Sequence, residues 1–291
     1  MDEVAFSLDK AEENVDATIH FLARLPLYDS VKPYTIRYDT GGDFPATNVE
    51  NEHHHVKIRN MRCHNLSYEK CGFQFCNMSS AMKYEDYGDP GLVKAIHFPE
   101  VEACLKKVLR ASFVQIINVQ QRKRHNSFPI ATGEAYEYVQ PTIRAHLDYS
   151  LESAQDIIRG ELGSRAEIIM GRRWQYVNVW HPIRGPLYDW PLAVCDASSV
   201  DFDTDTMAAD VVEETGDSLE ILQVFFNRSQ EWYYLPGQLP SEMLIFKNVD
   251  SRSSQGATPG TPHAAFDLMT KPPSCNDFHR ESIEMRAVVA W

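Results

Sequence analysis

The chain has 291 residues, 43% hydrophobic and 24% charged, an ordinary balance for a folded protein with room for one large domain or two small ones. A formal net charge of −13 argues against a nucleic-acid partner, because a phosphate backbone asks for clustered lysine and arginine. No apolar run approaches the roughly 18 residues of a membrane-crossing helix, which argues against a membrane partner. No signal peptide opens the chain and its six cysteines form no Cys-x-x-Cys pair, so the expectation is a cytoplasmic protein with reduced thiols.

Residues 8–24 carry Val15, Ile19 and Leu22 at helical spacing, which predicts an amphipathic helix over a sheet. Residues 34–47, with Gly41, Gly42 and Pro45, predict loops and short extended pieces. His53-His54-His55 resembles a metal tract, but consecutive side chains on a regular element cannot all face one ion, so it reads as a solvated loop. Residues 99–111 predict a helix: Pro99 suits the first turn, and Val101, Leu105, Val108 and Leu109 share a face. A β-branched strand follows over 113–119. Residues 121–140 then form a long polar connection, a candidate lid, whose basic knot 121–125 reads as solvated.

Beyond Asp148 a second helix is expected, capped by Ser150, buried along Ala154, Ile157, Ile158 and Leu162, and ended by Gly163. Strands are expected over 174–180, 192–195, 219–226, 232–235, 243–249 and 283–290. The acidic stretch 196–217 has no EF-hand spacing and reads as a solvated connection, and the Ser/Gly/Thr/Pro-rich stretch 250–262 reads as a flexible one. The expected architecture is mainly β with flanking α-helices, a sandwich or barrel. It forms a single domain over 1–291, with a helical N-terminal part at about 1–112 and core strands at about 113–291.

The chemistry centres on His146-Leu147-Asp148. Alternate residues of a strand share a face, so an imidazole and a carboxylate leave the backbone side by side. One further histidine would complete a two-His, one-carboxylate facial triad, a set suited to non-haem Fe(II) with three positions open. The candidates for that histidine are His181, His263 and His279. Arg286 lies inside an otherwise apolar final strand, where a guanidinium needs a carboxylate partner. That partner is either a structural one such as Glu284 or the carboxylate of a ligand.

Several stretches together carry a resemblance to a known family. They are Cys71-Gly-Phe73, Ile143-Arg-Ala-His-Leu-Asp-Tyr-Ser150, Val177-Asn-Val-Trp-His-Pro-Ile183, Asp189-Trp-Pro-Leu-Ala-Val-Cys-Asp196, Trp232-Tyr-Tyr-Leu-Pro236, residues 242–251, Pro262-His-Ala-Ala-Phe266 and Arg280-Glu-Ser-Ile-Glu-Met-Arg286. Over residues 30–291 the chain resembles the fungal Fe(II)/2-oxoglutarate-dependent dioxygenases of the GA4 desaturase and AsaB-like hydroxylase/desaturase group, built on the double-stranded β-helix or jelly roll. The resemblance implies His146, Asp148 and His263 as iron ligands, and Arg286 as the holder of the distal carboxylate of 2-oxoglutarate. Arg280 is the second choice for that carboxylate, and Asn178 faces the co-substrate cavity. Trp180, Tyr149, Tyr138 and Trp174 are candidate substrate-pocket residues. Where the family commonly reads Trp-Arg-Pro this chain has Trp180-His181-Pro182, which leaves the role of His181 open.

The implied reaction consumes 2-oxoglutarate and O2, yields succinate and CO2, and hydroxylates, desaturates or oxidatively cyclises a small secondary-metabolite or amino-acid-like substrate. Association as a homodimer, or as a heterodimer with a paralogue, belongs to the same expectation. Two alternatives remain at this point. One is a catalytically silent partner subunit on the same fold; the other is a cupin-like metal-dependent hydrolase or isomerase.

Overall fold

A computed structural model describes residues 14–130, 136–269 and 278–291. Fourteen strands run through these residues. They are β1 (Val15–Leu22), β2 (Tyr34–Ile36), β3 (Asn51–Asn60), β4 (Phe73–Asn77), β5 (Phe113–Lys123), β6 (His146–Leu147) and β7 (Trp174–Pro182), followed by β8 (Leu192–Cys195), β9 (Thr206–Val212), β10 (Ser218–Val224), β11 (Trp232–Tyr234), β12 (Glu242–Asp250), β13 (His263–Ala265) and β14 (Glu281–Ala290). Nine form one sheet in the order β1-β3-β11-β8-β13-β6-β10-β9-β2, and five form another in the order β4-β12-β7-β14-β5.

The central strands of the five-stranded sheet, β7, β12 and β14, are buried on both faces, and alternation sorts their side chains. Val177 and Val179 of β7 and Ile283, Met285, Ala287 and Val289 of β14 turn outward. There they pack against Val101, Leu105 and Leu109 of the helix Phe98–Leu109. The intervening residues, Asn178 on β7 and Ser282, Glu284 and Arg286 on β14, therefore point between the sheets. A polar residue at every second place in a buried strand is thus the trace of an interior polar site. The helix Leu151–Leu162 begins as expected: Ser150 Oγ accepts from the Ser153 backbone N–H at 3.3 Å, and Ala154, Ile158 and Leu162 are buried.

The N-terminal part departs from the helical expectation. Within 8–24 the described residues form β1, with Ala17, Ile19 and Phe21 buried at alternate places and Asp16, Thr18 and His20 between them. The helical reading arose because Val15, Ile19 and Leu22 also satisfy a period near 3.6. The period-two set is the one that the pairing with β3 buries. Four strands accordingly lie in the stretch expected to be helical, beside the helix Phe98–Leu109. His53, His54 and His55 are not in a loop but in β3, with only the His54 side chain turned partly inward.

Two loop assignments also need correction. Part of the acidic stretch, Thr206–Val212, is β9, in which Ala209 and Val211 are buried. The basic knot is not simply solvated either. β5 runs on through Lys123, Arg122 is partly buried, and Arg124 Nε pairs with Asp189 Oδ2 at 2.6 Å. No helix among the described residues is long and apolar enough to cross a membrane.

Candidate metal centre and its cavities

His146 and His263 stand directly opposite each other in the antiparallel pairing of β6 with β13. Directly opposed side chains on one face are nearest neighbours, so two residues 117 positions apart bring their ring centroids to 4.4 Å. Asp148 follows two places after His146, on the same side of the chain. Its Oδ1 lies 3.4 Å from His146 Nε2 and 3.9 Å from His263 Nε2. One ligand atom from each of the three falls within 4.8 Å of the others, a grouping that could hold a metal ion. Of the three candidate third histidines, His263 is the one placed there.

The neighbouring groups leave the right lone pairs facing inward. His146 Nδ1 is 2.8 Å from the Arg144 carbonyl oxygen, and His263 Nδ1 is 3.2 Å from that of Thr261. A carbonyl can only accept, so each Nδ1 carries the proton and each Nε2 is left as a donor to metal. Asp148 is oriented likewise. Its Oδ2 accepts from Asn178 Nδ2 at 2.5 Å and from Arg286 Nε at 3.1 Å, which turns Oδ1 to the imidazoles. Asn178 and Arg286 are themselves a cross-strand pair of β7 and β14, so a pair on one sheet holds the ligand that completes a pair on the other. Burial pushes the Asp148 carboxyl up, but Arg286 and the two histidines outweigh it and hold the group well below the usual carboxylate range. Burial, with His146 alongside, brings His263 down to about 4. Both conditions favour ligation, since a metal needs an ionised carboxylate and neutral imidazoles.

The two arginines occupy different surroundings. Arg286 donates through Nε to Asp148 and through Nη1 to Asn118 Oδ1 at 3.0 Å, and pairs through Nη2 with Glu284. Arg280 is buried, donates to Ser282 Oγ at 3.2 Å and to the Trp190 carbonyl at 2.7 Å, and lies over the Trp180 ring. No carboxylate among the described residues forms an ion pair with its guanidinium. Burial, with Arg122 nearby, lowers its pKa to about 9. Arg280 lines a narrow crevice together with Arg122, Thr142, His146, His263 and Glu284.

A larger cavity, about 450 Å3, shares Arg122, Thr142 and His146 with this crevice. Asn118, Gln120 and Arg122 of β5 face it from one sheet, and Leu219, Ile221 and Gln223 of β10 face it from the other, each set at alternate positions. Tyr149 also lines it, with Arg286 over its ring at 5.6 Å. The other expected pocket residues lie elsewhere. Trp180 is fully buried among Phe73, Leu192 and Val194, and Trp174 packs with Ile158 and Tyr176 beside the helix Leu151–Leu162. Tyr138 lies in a shallow depression with Phe128 and Ile130, under the Lys123 ammonium. An aromatic residue in a β protein is as ready to fill core as to meet substrate, and sequence does not distinguish the two. His181 belongs to the outward face of β7, where its Nε2 is 2.9 Å from Nε2 of the buried His97. Arg122 and Arg144, which the sequence reading does not single out, also line the larger cavity; Arg144 precedes His146 by two, the spacing that puts alternate residues on one side of an extended chain.

A jelly roll with two imidazoles and a carboxylate gathered between its sheets is the framework of the non-haem iron oxygenases, and the comparisons agree. A sequence profile described as "Oxidoreductase/YMDC permease-like domain" matches residues 19–290, and the chain belongs to that family. Among named relatives, the alpha-ketoglutarate-dependent dioxygenase phiK of a fungal species is 30% identical over 81% of this chain and 83% of its own length. The alpha-ketoglutarate-dependent dioxygenase tstK of Talaromyces stipitatus is 27% identical over 76% and 78%. The solved structure of the iron and alpha-ketoglutarate-dependent endoperoxidase NvfI superposes with a TM-score of 0.81 at 25% identity, covering 95% of this chain and 98% of that one. The protein is a member of the fungal Fe(II)/2-oxoglutarate-dependent dioxygenases and hydroxylase/desaturases (alpha-ketoglutarate and 2-oxoglutarate are the same acid), enzymes that use Fe(II), 2-oxoglutarate and O2.

Proposed function

We propose that His146, Asp148 and His263 hold Fe(II), that Arg280 with Ser282 receives the distal carboxylate of 2-oxoglutarate, and that the enzyme oxidises an unactivated carbon of a small secondary-metabolite or amino-acid-like substrate. Hydroxylation, desaturation and oxidative cyclisation are the outcomes in scope. When bound, Fe(II) with 2-oxoglutarate and O2 would supply the oxidising power to remove a hydrogen atom from such a carbon, 2-oxoglutarate leaving as succinate and CO2.

The chain's own residues do the holding and orienting. The carbonyls of Arg144 and Thr261 fix the imidazole tautomers, and Asn178 and Arg286 fix the carboxylate. The preference for Arg280 over Arg286 reverses the order expected from sequence. It is supported by the engagement of Arg286 with Asp148 and Glu284, while Arg280 is a buried guanidinium in the crevice with His263 that forms no ion pair with a carboxylate among the described residues. Tyr149 and the inward residues of β5 and β10 enclose the space where a carbon must be placed near the metal, and placement decides which outcome prevails.

The single observation that carries this reading is the convergence of His146 Nε2, His263 Nε2 and Asp148 Oδ1, each freed by a partner on its other atom. Anaerobic titration of the protein with Fe(II) and 2-oxoglutarate tests it. A weak visible charge-transfer band is expected, followed on aeration by succinate release when a metabolite panel is screened. No band in the wild-type protein would overturn the assignment.

A further inference from the structure

The charge around the 450 Å3 cavity opposes that of the whole chain. In a protein of net charge −13, the lining holds Arg37, Arg122, Arg144 and Arg286 against one carboxylate, Asp148. Several of these charges are already answered. Arg286 is tied to Asp148 and Glu284, and Arg37 pairs with Glu213 at 2.7 Å. Arg122 has Glu284 at 3.9 Å, but that carboxylate also serves Arg286. Arg144 bonds the side-chain amide oxygen of Asn51 and has no carboxylate partner among the described residues. Its cation thus sits partly buried at the cavity wall, on the same strand face as His146. A desolvated guanidinium favours a carboxylate in a two-point hydrogen-bonded grip. Across the same space, Val211, Leu219 and Ile221 form an apolar side.

We infer that the substrate is an amphiphilic carboxylate, seated with its anionic group on Arg144 and Arg122 and its hydrocarbon body along Val211, Leu219 and Ile221. This rests on the oxygenase reading above and narrows it to a substrate class. The carboxylate is a different one from that of 2-oxoglutarate, which is assigned to Arg280 in the adjoining crevice. Anchoring one end at Arg144 leaves the apolar body to place a carbon near His146 and Asp148.

The test uses protein loaded with Mn(II), which does not turn over, and saturating 2-oxoglutarate. Calorimetry compares 1-naphthylacetate, 4-phenylbutyrate and 1-pyrenebutyrate with their methyl esters. At least one acid is expected to bind tenfold or more tightly than its ester, with affinity falling as salt rises. Arg144→Gln should remove that gap and Arg144→Lys restore part of it, with Mn(II) and 2-oxoglutarate binding retained in both as the check on folding. The inference is overturned if no acid outbinds its ester, if the gap survives Arg144→Gln, or if the acids bind only when 2-oxoglutarate is omitted. Failure of the wild-type protein to take up Mn(II) and 2-oxoglutarate would instead sink the oxygenase reading itself.

Discussion

Asn178 donates its side-chain amide to Oδ2 of Asp148 at 2.5 Å, from a strand of the opposite sheet, and thereby decides which carboxylate oxygen faces His146 and His263. Removing such an outer partner typically costs 10- to 100-fold in metal affinity, because the ligand must then be ordered on binding. Asn178→Ala should accordingly weaken Mn(II) or anaerobic Fe(II) binding by about that factor. Asn178→Asp should do worse, since it sets a second negative group against Asp148. Metal titration followed by fluorescence or electron paramagnetic resonance measures both; affinity equal to wild type in the alanine variant would mean that Arg286 alone orients Asp148.

The two arginines of the last motif should separate by readout. Arg280→Gln should raise the KM for 2-oxoglutarate by about thirty- to a hundredfold, the loss expected for a charged hydrogen-bonded contact, and leave metal affinity near wild type. Arg286→Gln leaves Asp148 buried without its guanidinium and Glu284 with only Arg122, at 3.9 Å, so it should lower stability by about 3–5 kcal/mol and weaken the metal. Thermal unfolding and 2-oxoglutarate titration of the two variants settle the assignment. A large KM effect in Arg286→Gln alone would restore the order expected from sequence.

What could be read in the sequence was what depends on neighbours along the chain. His146 and Asp148 share a face through strand alternation, Ser150 caps the next helix, and Val101, Leu105 and Leu109 bury one side of another. What could not be read depends on which strand lies opposite. That Arg286 reaches Asp148 follows from its pairing with Asn178 on β7 and Asn118 on β5, and a register shift after Arg286 interrupts the second pairing. Arg280, only six residues earlier, turns to a different crevice. The same limit misplaced β1, whose burial is set by β3, and sent Trp174 and Trp180 to the pocket when both fill core.

Gly260 shows how tightly the backbone closes on the triad. A Cβ there would stand 2.4 Å from the Asn248 carbonyl oxygen and 2.6 Å from Leu147 Cδ2, and Leu147 lies between two of the ligands. Gly260→Ala therefore has to push β12 or β6 aside. A loss of about 1–3 kcal/mol is expected from overpacking, with weaker metal binding than Gly256→Ala, where nothing lies within 4 Å. Gly256 has φ +91°, so its alanine variant carries backbone strain and serves as a control for stability loss without displacement of β6. Denaturant melts paired with Mn(II) titration make the comparison.

His97 and His181 meet Nε2 to Nε2 at 2.9 Å, both fully buried, so one ring must donate and the other accept. His181 Nδ1 donates to the Pro182 carbonyl at 2.9 Å, which makes its Nε2 the acceptor and His97 Nε2 the donor. Tyr87, Ser80 and Glu100 surround His97, with Glu100 at 3.5 Å from its Nδ1. Burial, with His97 adjacent, brings His181 down to about 3, and burial lowers His97 as well. A folded-state pKa below that of a free imidazole means that the unfolded chain binds more protons as pH falls below about 6.5. The stability that the neutral pair contributes is thus full above about pH 6.5 and is lost on descending towards pH 3, by on the order of 4 kcal/mol for His181. His181→Gln keeps a side chain able to accept from His97 but cannot take up a proton. Its unfolding free energy, measured between pH 7 and pH 4.5 at fixed metal content, should fall less steeply than that of wild type. Parallel slopes would show that His181 takes up its proton as readily in the folded protein as in the unfolded chain, and would overturn the buried neutral pair.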